Sequence, residues 1–301
     1  MHADLEWQYY FWKLKAAWNH TDFYDLFGPR RTSRKGYTVG LSYDYTNSMI
    51  KPYTREWGFS VDAYGDMDAL PMYQEIAVND VKSLQTASIY GKVSKLRKSL
   101  GGVMDEQGYQ LGISGYGYLA GGTFYPSIEA TGDFGTLLPI DRNTSFGLRT
   151  AAGHNFGDAQ SVFGNTYLGG FRNNRVDYRD AFQYRTALAM PGADIDAIQA
   201  HSYAKATTEL NLRPIRLNNF GALFCYPTWI QCSLFGTGLS AWNPGSKHQM
   251  YYSAGLQLST ELVFVNYLKT TLSVGFGHLF APEGFAGGRH GNELMISLKL
   301  L

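Results

Sequence analysis

Tyr37-Thr38-Val39-Gly40-Leu41-Ser42-Tyr43-Asp44-Tyr45 is the stretch whose reading decides the fold. In an extended backbone successive side chains point to opposite faces. Tyr37, Val39, Leu41, Tyr43 and Tyr45 therefore share one face, and Thr38, Gly40, Ser42 and Asp44 the other. Unbroken alternation of this length matches the roughly 9–11 residues with which a tilted strand crosses a bilayer. The apolar face is smooth and aromatic, and the polar face is built from small residues. A soluble sandwich strand would carry charge on its outer face instead.

The same period recurs on both sides of this stretch. Glu6–Trp18 reads as one strand, with Tyr10, Trp12, Leu14, Ala16 and Trp18 opposed to Lys13 and Lys15. Trp57, Phe59, Val61 and Ala63 alternate with Gly58, Ser60 and Asp62. Leu84–Val93, Tyr109–Gly122, Phe124–Thr131 and Phe146–Ala152 complete seven strands in the first half. The second half reads as Ser202–Leu212, Leu223–Leu239, Met250–Ser259, Leu268–His278 and Leu294–Leu300. The expected fold is an all-β antiparallel transmembrane barrel in a single domain over 1–301, with about twelve strands in this chain. Residues 160–200 form one long loop. Residues 66–82 read as a loop or a short helix. The final amphipathic run would close a barrel against its first strand and leave no edge.

Composition points the same way. Of 301 residues, 15% are aromatic and only 17% charged, with 34 glycines and 22 tyrosines, as suits a sheet with lipid on one side and water on the other. No run approaches the ~20 apolar residues of a spanning helix. A net charge of +1 gives no attraction to nucleic acid. Trp7, Trp12, Trp18, Tyr43 and Trp57 read as residues of aromatic girdles. Met1–Asp4 carries no export leader, so the expectation is a mature form or the C-terminal part of a longer chain.

No catalytic or metal-binding constellation emerges. Gly112-Ile113-Ser114-Gly115 lacks the glycine two residues after serine that a nucleophile elbow needs, because Tyr116 stands there. Asp194, Asp196 and His201, like His20, Asp22 and Asp25, read as scattered loop polars without ligand spacing. Lys92, Lys95, Arg97 and Lys98 read as a solvated loop rim. Cys225 and Cys232 are either bridged or two free thiols. Neither an enzyme nor a cofactor nor a metal is expected.

One passage departs from sheet crossing. Gly169-Gly170 is preceded by Tyr167-Leu168 and followed after four residues by Arg175, and Ala204–Leu212 comes next as a strand. Over 160–301 these features resemble the C-terminal barrel of the bacterial surface antigen superfamily, which includes outer-membrane protein assembly factors and transporters of two-partner secretion. The resemblance implies a sixteen-stranded barrel whose long loop, after the eleventh strand, folds into the lumen. It implies that Arg175 meets the lumen-facing carboxylate of Glu209, which alternation also sets opposite Ala206, Leu210 and Leu212. Val176-Asp177 replaces the family's usual Gly-aromatic pair, with Tyr178 as a displaced aromatic, and no acid stands in Phe224–Trp229 as the arginine's second partner. Seven strands before the loop instead of eleven implies that strands and any periplasmic domain lie upstream. The implied function is assembly or translocation of polypeptides at the bacterial outer membrane, without covalent chemistry. The implied partners are outer-membrane lipids, a polypeptide substrate or upstream passenger domain, and periplasmic or lipoprotein partners. The alternative is a passive anchor or export pore for an upstream propeller or hydrolase.

Overall fold

The computed structural model describes residues 3–18, 36–50, 52–66, 83–98, 102, 105–139, 141, 143–171, 182–217, 221, 225–245, 248–264, 268–282, 285 and 291–300. These form β1 (Ala3–Tyr9), β2 (Trp12–Trp18), β3 (Tyr37–Ile50), β4 (Tyr53–Gly65), β5 (Leu84–Lys98), β6 (Asp105–Ala120), β7 (Thr123–Leu137) and β8 (Ser145–Asn155). After them come the short β9 (Thr166–Leu168) and β10 (Ile198–Ala200), then β11 (Ser202–Asn211) and β12 (Ile215–Arg216). The chain continues through β13 (Cys225–Trp242), β14 (Gln249–Phe264), β15 (Leu268–Phe280) and β16 (Asn292–Leu300). The protein is all-β. One 14-stranded antiparallel sheet runs β1 to β8, then β11, β13, β14, β15 and β16, with β12 attached to β13. The pair β9–β10 stands apart from it.

The main path thus has thirteen strands where the sequence suggested twelve. The extra strand comes from Glu6–Trp18, which is a hairpin. Tyr9 pairs with Trp12 across a two-residue turn, and Tyr10 takes φ 52 there. A first turn residue of positive φ suits the twist of a tight hairpin, but it is normally glycine or asparagine. The five strands after the long loop are β11 and β13–β16, as the alternation indicated. The cations Lys92, Lys95, Arg97 and Lys98 belong to β5 itself and not to a loop rim. Residues 19–35 and 67–82, read above as connections, lie outside the described residues.

One face of the sheet is an apolar band. Trp12 pairs with Tyr43, Leu14 with Leu41, Ala16 with Val39 and Trp18 with Tyr37, and β4 continues the rows with Phe59, Val61 and Ala63. Leu5, Trp7, Leu14, Leu41, Val61, Ile89, Leu111, Ile113, Leu256, Phe276 and Ile296 are all exposed on it. Aromatics on it form two groups. Trp18 and Tyr37 stack at 6.1 Å, while Trp12, Tyr43, Trp57 and Phe59 form a cluster with centroids 5.0–6.0 Å apart. Along β2 the two groups are about 20 Å apart at the usual strand rise.

The other face is concave. Glu106 in β6 accepts a hydrogen bond from Gln231 in β13, although β7, β8 and β11 lie between them in the sheet. Four strand spacings of ~4.8 Å would hold these side chains about 19 Å apart in a flat sheet, so the wall curls. Among the described residues no pairing joins β16 to β1.

Candidate functional site

Residues 156–171 and 182–201, between β8 and β11, return onto this inner face. Phe171, Phe182, Tyr184, Leu168, Met190 and Ile198 are fully buried there against Phe235, Leu239, Ala241, Tyr251, Leu279 and Met295. The rings of Tyr184 and Phe235 stack at 4.2 Å, and Phe171 meets Phe235 edge-on at 6.0 Å. The apolar interior of the molecule is therefore not between two sheets. It lies between the sheet and its own longest connection.

Glycines shape the entry of this segment. Gly170 has φ +58, a left-handed conformation that glycine adopts without penalty. A Cβ on Gly169 would stand 2.1 Å from the Asp194 carbonyl oxygen. The peptide N–H of Met190 donates to Gly170 O at 2.9 Å, and that of Gly169 donates to Leu188 O at 3.1 Å. The Gly169-Gly170 pair is therefore the point at which the chain crosses its own returning arm.

Polar anchors fix the segment to three different strands. Glu293 in β16 accepts from the backbone N–H groups of Phe171 (2.9 Å) and Gly192 (3.0 Å). Ser253 in β14 donates to Pro191 O at 2.6 Å. The ammonium of Lys205 in β11 donates to the carbonyls of Thr186 (2.7 Å) and Ala187 (3.3 Å).

The central anchor is ionic. Glu209 lies on the inner face of β11 and is 2% exposed. Arg185 holds it with a two-pronged fork, Nε to Oε2 at 2.7 Å and Nη2 to Oε1 at 2.5 Å. Asn211 donates to Oε1 at 2.7 Å, and Arg149 of β8 reaches the same oxygen at 3.5 Å. Arg185 Nη1 donates to Asp105 O at 3.1 Å, and its guanidinium lies 4.3 Å from the centre of the Phe182 ring. Burial pulls the Arg185 pKa down, but the Glu209 carboxylate, by charge and by hydrogen bond, more than offsets it. The net shift is upward and the fork stays charged. Burial pushes the Tyr184 phenol well above its ordinary value, helped by the Glu209 charge.

Of the residues singled out in the sequence, Glu209, Gly169 and Gly170 belong to this arrangement. Arg175 and Tyr178 lie outside the described residues. Both oxygens of the carboxylate assigned above to Arg175 are engaged by Arg185. Sequence reasoning missed Arg185, Arg149, Asn211 and Glu293. Only the parity of Arg149 and Asn211, on the same face as their strands' buried positions, could have indicated two of them. Cys225 and Cys232 are free thiols, and both lie on β13. Seven residues of strand span about 23 Å, several times the separation a disulfide bridges. His201 Nδ1 is hydrogen-bonded with Gly164 O at 2.8 Å, and no group of three His, Cys, Asp or Glu that could hold a metal occurs among the described residues. No helix among them is long and apolar enough to cross a membrane.

No protein-family model matches the chain, and no curated protein matches it in sequence.

Proposed function

We propose that this chain forms the wall of an outer-membrane β-barrel of the surface antigen type, which assembles polypeptides into the outer membrane or moves them across it, without covalent chemistry. The observation that carries the reading is the fork between Arg185 and Glu209. A loop arginine meets an inner-face glutamate of the next wall strand, and four wall strands follow, which is the arrangement the resemblance implies. The resemblance assigned this contact to Arg175, which lies outside the described residues; Arg185 makes the contact here.

The membrane part of the reading rests on the exposed apolar band and its two aromatic groups. Lipid is the solvent such a face fits. Connection lengths support an orientation. The connections 10–11, 51–52, 99–104, 138–144, 212–224 and 265–267 share one end; 19–36, 66–83, 121–122, 156–201, 243–248 and 281–291 share the other and are longer in the main. Short turns face the periplasm in this class of barrel, so the seated loop enters from outside.

Strand parity supports a larger barrel. β1 and β16 are first and thirteenth in an antiparallel path and therefore run in the same direction. An odd number of further strands would join them with antiparallel pairing, and three would give the sixteen of the family.

Arg185→Ala and Glu209→Gln, compared with the parent at equal levels in the outer membrane, test the role in transport or assembly. The expected result is reduced secretion, or reduced outer-membrane insertion, of separate client polypeptides. Unchanged clients with both variants would overturn it. Loss confined to the surface display of a domain in the same chain would favour the anchor reading.

A further inference from the structure

Between the seated loop and the wall formed by β6, β7, β8 and β11 lies a cavity of about 390 Å3. Three cations line it, Arg149, Arg185 and Lys205, together with the carboxylates Asp105 and Asp133. The Arg185 fork takes both oxygens of Glu209, and the oxygen that Arg149 approaches at 3.5 Å already accepts from Arg185 and Asn211. Lys205 donates to two loop carbonyls, those of Thr186 and Ala187. Asp133 pairs in register with Arg149 across β7 and β8, but among the described residues no ion pair forms between them, and its hydrogen bond is to Gln110 at 3.5 Å.

Arg149 is left incompletely bonded. It is 6% exposed, and its buried Nε has no hydrogen-bond partner. A buried N–H without an acceptor costs about 1–3 kcal/mol, more on a charged group. A guanidinium presents its donors in a rigid planar fork that matches a carboxylate or a phosphate. In the pairing of β8 with β11, Arg149 stands opposite Thr207 and Lys205 opposite Ala151, which places the two cations on neighbouring strands one inward-facing position apart.

We propose that this cavity is a binding site for an oxyanion of the carboxylate or phosphate type, with Arg149 as its principal donor and Lys205 beside it. The anion is either free or the acidic side chain of a polypeptide inside the wall, since the recognising chemistry is the same. The site rests on the inner-face geometry alone, so it stands or falls separately from the transport reading.

Equilibrium dialysis of the detergent-solubilised protein against inorganic phosphate, and in parallel against a short capped aspartate peptide, tests it. The expected result is saturable binding of at least one probe. Binding should weaken about tenfold or more in Arg149→Gln and recover in part in Arg149→Lys, since a charged hydrogen bond of roughly 1.5–3 kcal/mol is lost. Tighter binding of the peptide would assign the site to acidic polypeptide segments, and tighter binding of phosphate to free anions. No saturable binding of either probe by the parent protein would overturn the proposal, whatever the variants do. Undiminished binding by folded Arg149→Gln would overturn it as well.

Discussion

The inner faces of β2–β5 and of β8–β16 carry comparable polar side chains and behave differently. In the first region Ser60 and Ser88 share a hydrogen bond at 2.9 Å, Tyr90 donates to Asp44 at 2.7 Å, and Lys92 meets Glu56 at 3.7 Å, all partly exposed. In the second, Glu209, Gln231, Ser233, Gln257 and Ser273 are buried. Strand alternation is the same in both. The difference is what lies over them: residues 156–171 and 182–201 pack on β11 and β13–β16, Glu106 of β6 reaches Gln231, and ordinary inward-facing polar residues become enclosed. A carboxylate in the first region is screened by water and contributes little. In the second, each must be satisfied by a specific partner or the loop cannot seat.

The largest expected effect comes from unpairing the enclosed charge. Glu209→Gln leaves Arg185 and Arg149 facing one another without a carboxylate. Removing one partner of a buried pair costs about 3–5 kcal/mol. The midpoint of heat-induced unfolding, followed by gel mobility, should fall sharply. A shift no larger than that of a surface substitution would mean that the covered half is not enclosed. Next in size is Gly169→Ala, whose Cβ would strike the Asp194 carbonyl oxygen. A loss of about 2 kcal/mol is expected, together with faster proteolysis within 156–201 and little change in strand content by circular dichroism.

Alkaline pH should also loosen the covered half. Tyr184 is fully buried and its pKa is raised by that burial, so the folded state holds the proton more tightly than the unfolded one. Its contribution is complete below the unfolded value near 10 and declines as pH rises beyond it, by up to about 1.4 kcal/mol per pH unit. Stability measured from pH 9 to 12 should bend downward, and Tyr184→Phe should make the bend shallower; an unchanged bend would show that Tyr184 is not enclosed. The smallest effect belongs to the open region. Lys92→Ala, which breaks a partly exposed pair, should change stability by about 0.5 kcal/mol or less. A loss comparable to that of Glu209→Gln would erase the distinction between the two regions.

The wall was legible in the sequence because period-two alternation is local, and it survives even where strand ends are misplaced. The β1–β2 hairpin was not. Trp7 to Trp12 offers no glycine, proline or asparagine, and Tyr10 accepts an unfavourable φ that no sequence signal marks. Glu209 could be placed by parity, and the Gly169-Gly170 pair stood out by type. Its partner was beyond reach of local rules. Which arginine meets Glu209 depends on how the segment turns back, and Arg185 carries no distinguishing neighbour pattern. The enclosure was implied only by the resemblance, since the polar face of β8–β16 reads like that of β3–β4 until the loop is laid on it.

The orientation of the two faces is most directly tested at adjacent residues. In a background with its tryptophans replaced by phenylalanine, Leu41→Trp places a reporter on the exposed apolar face, and Ser42→Trp places one on the opposite face. Each variant is refolded into phosphatidylcholine vesicles containing brominated acyl chains, and fluorescence quenching is measured. Strong quenching at 41 with little at 42 is the expected result for a wall with lipid outside and a polar lumen within. Equal quenching at both positions, or none at 41, would contradict a membrane-spanning wall.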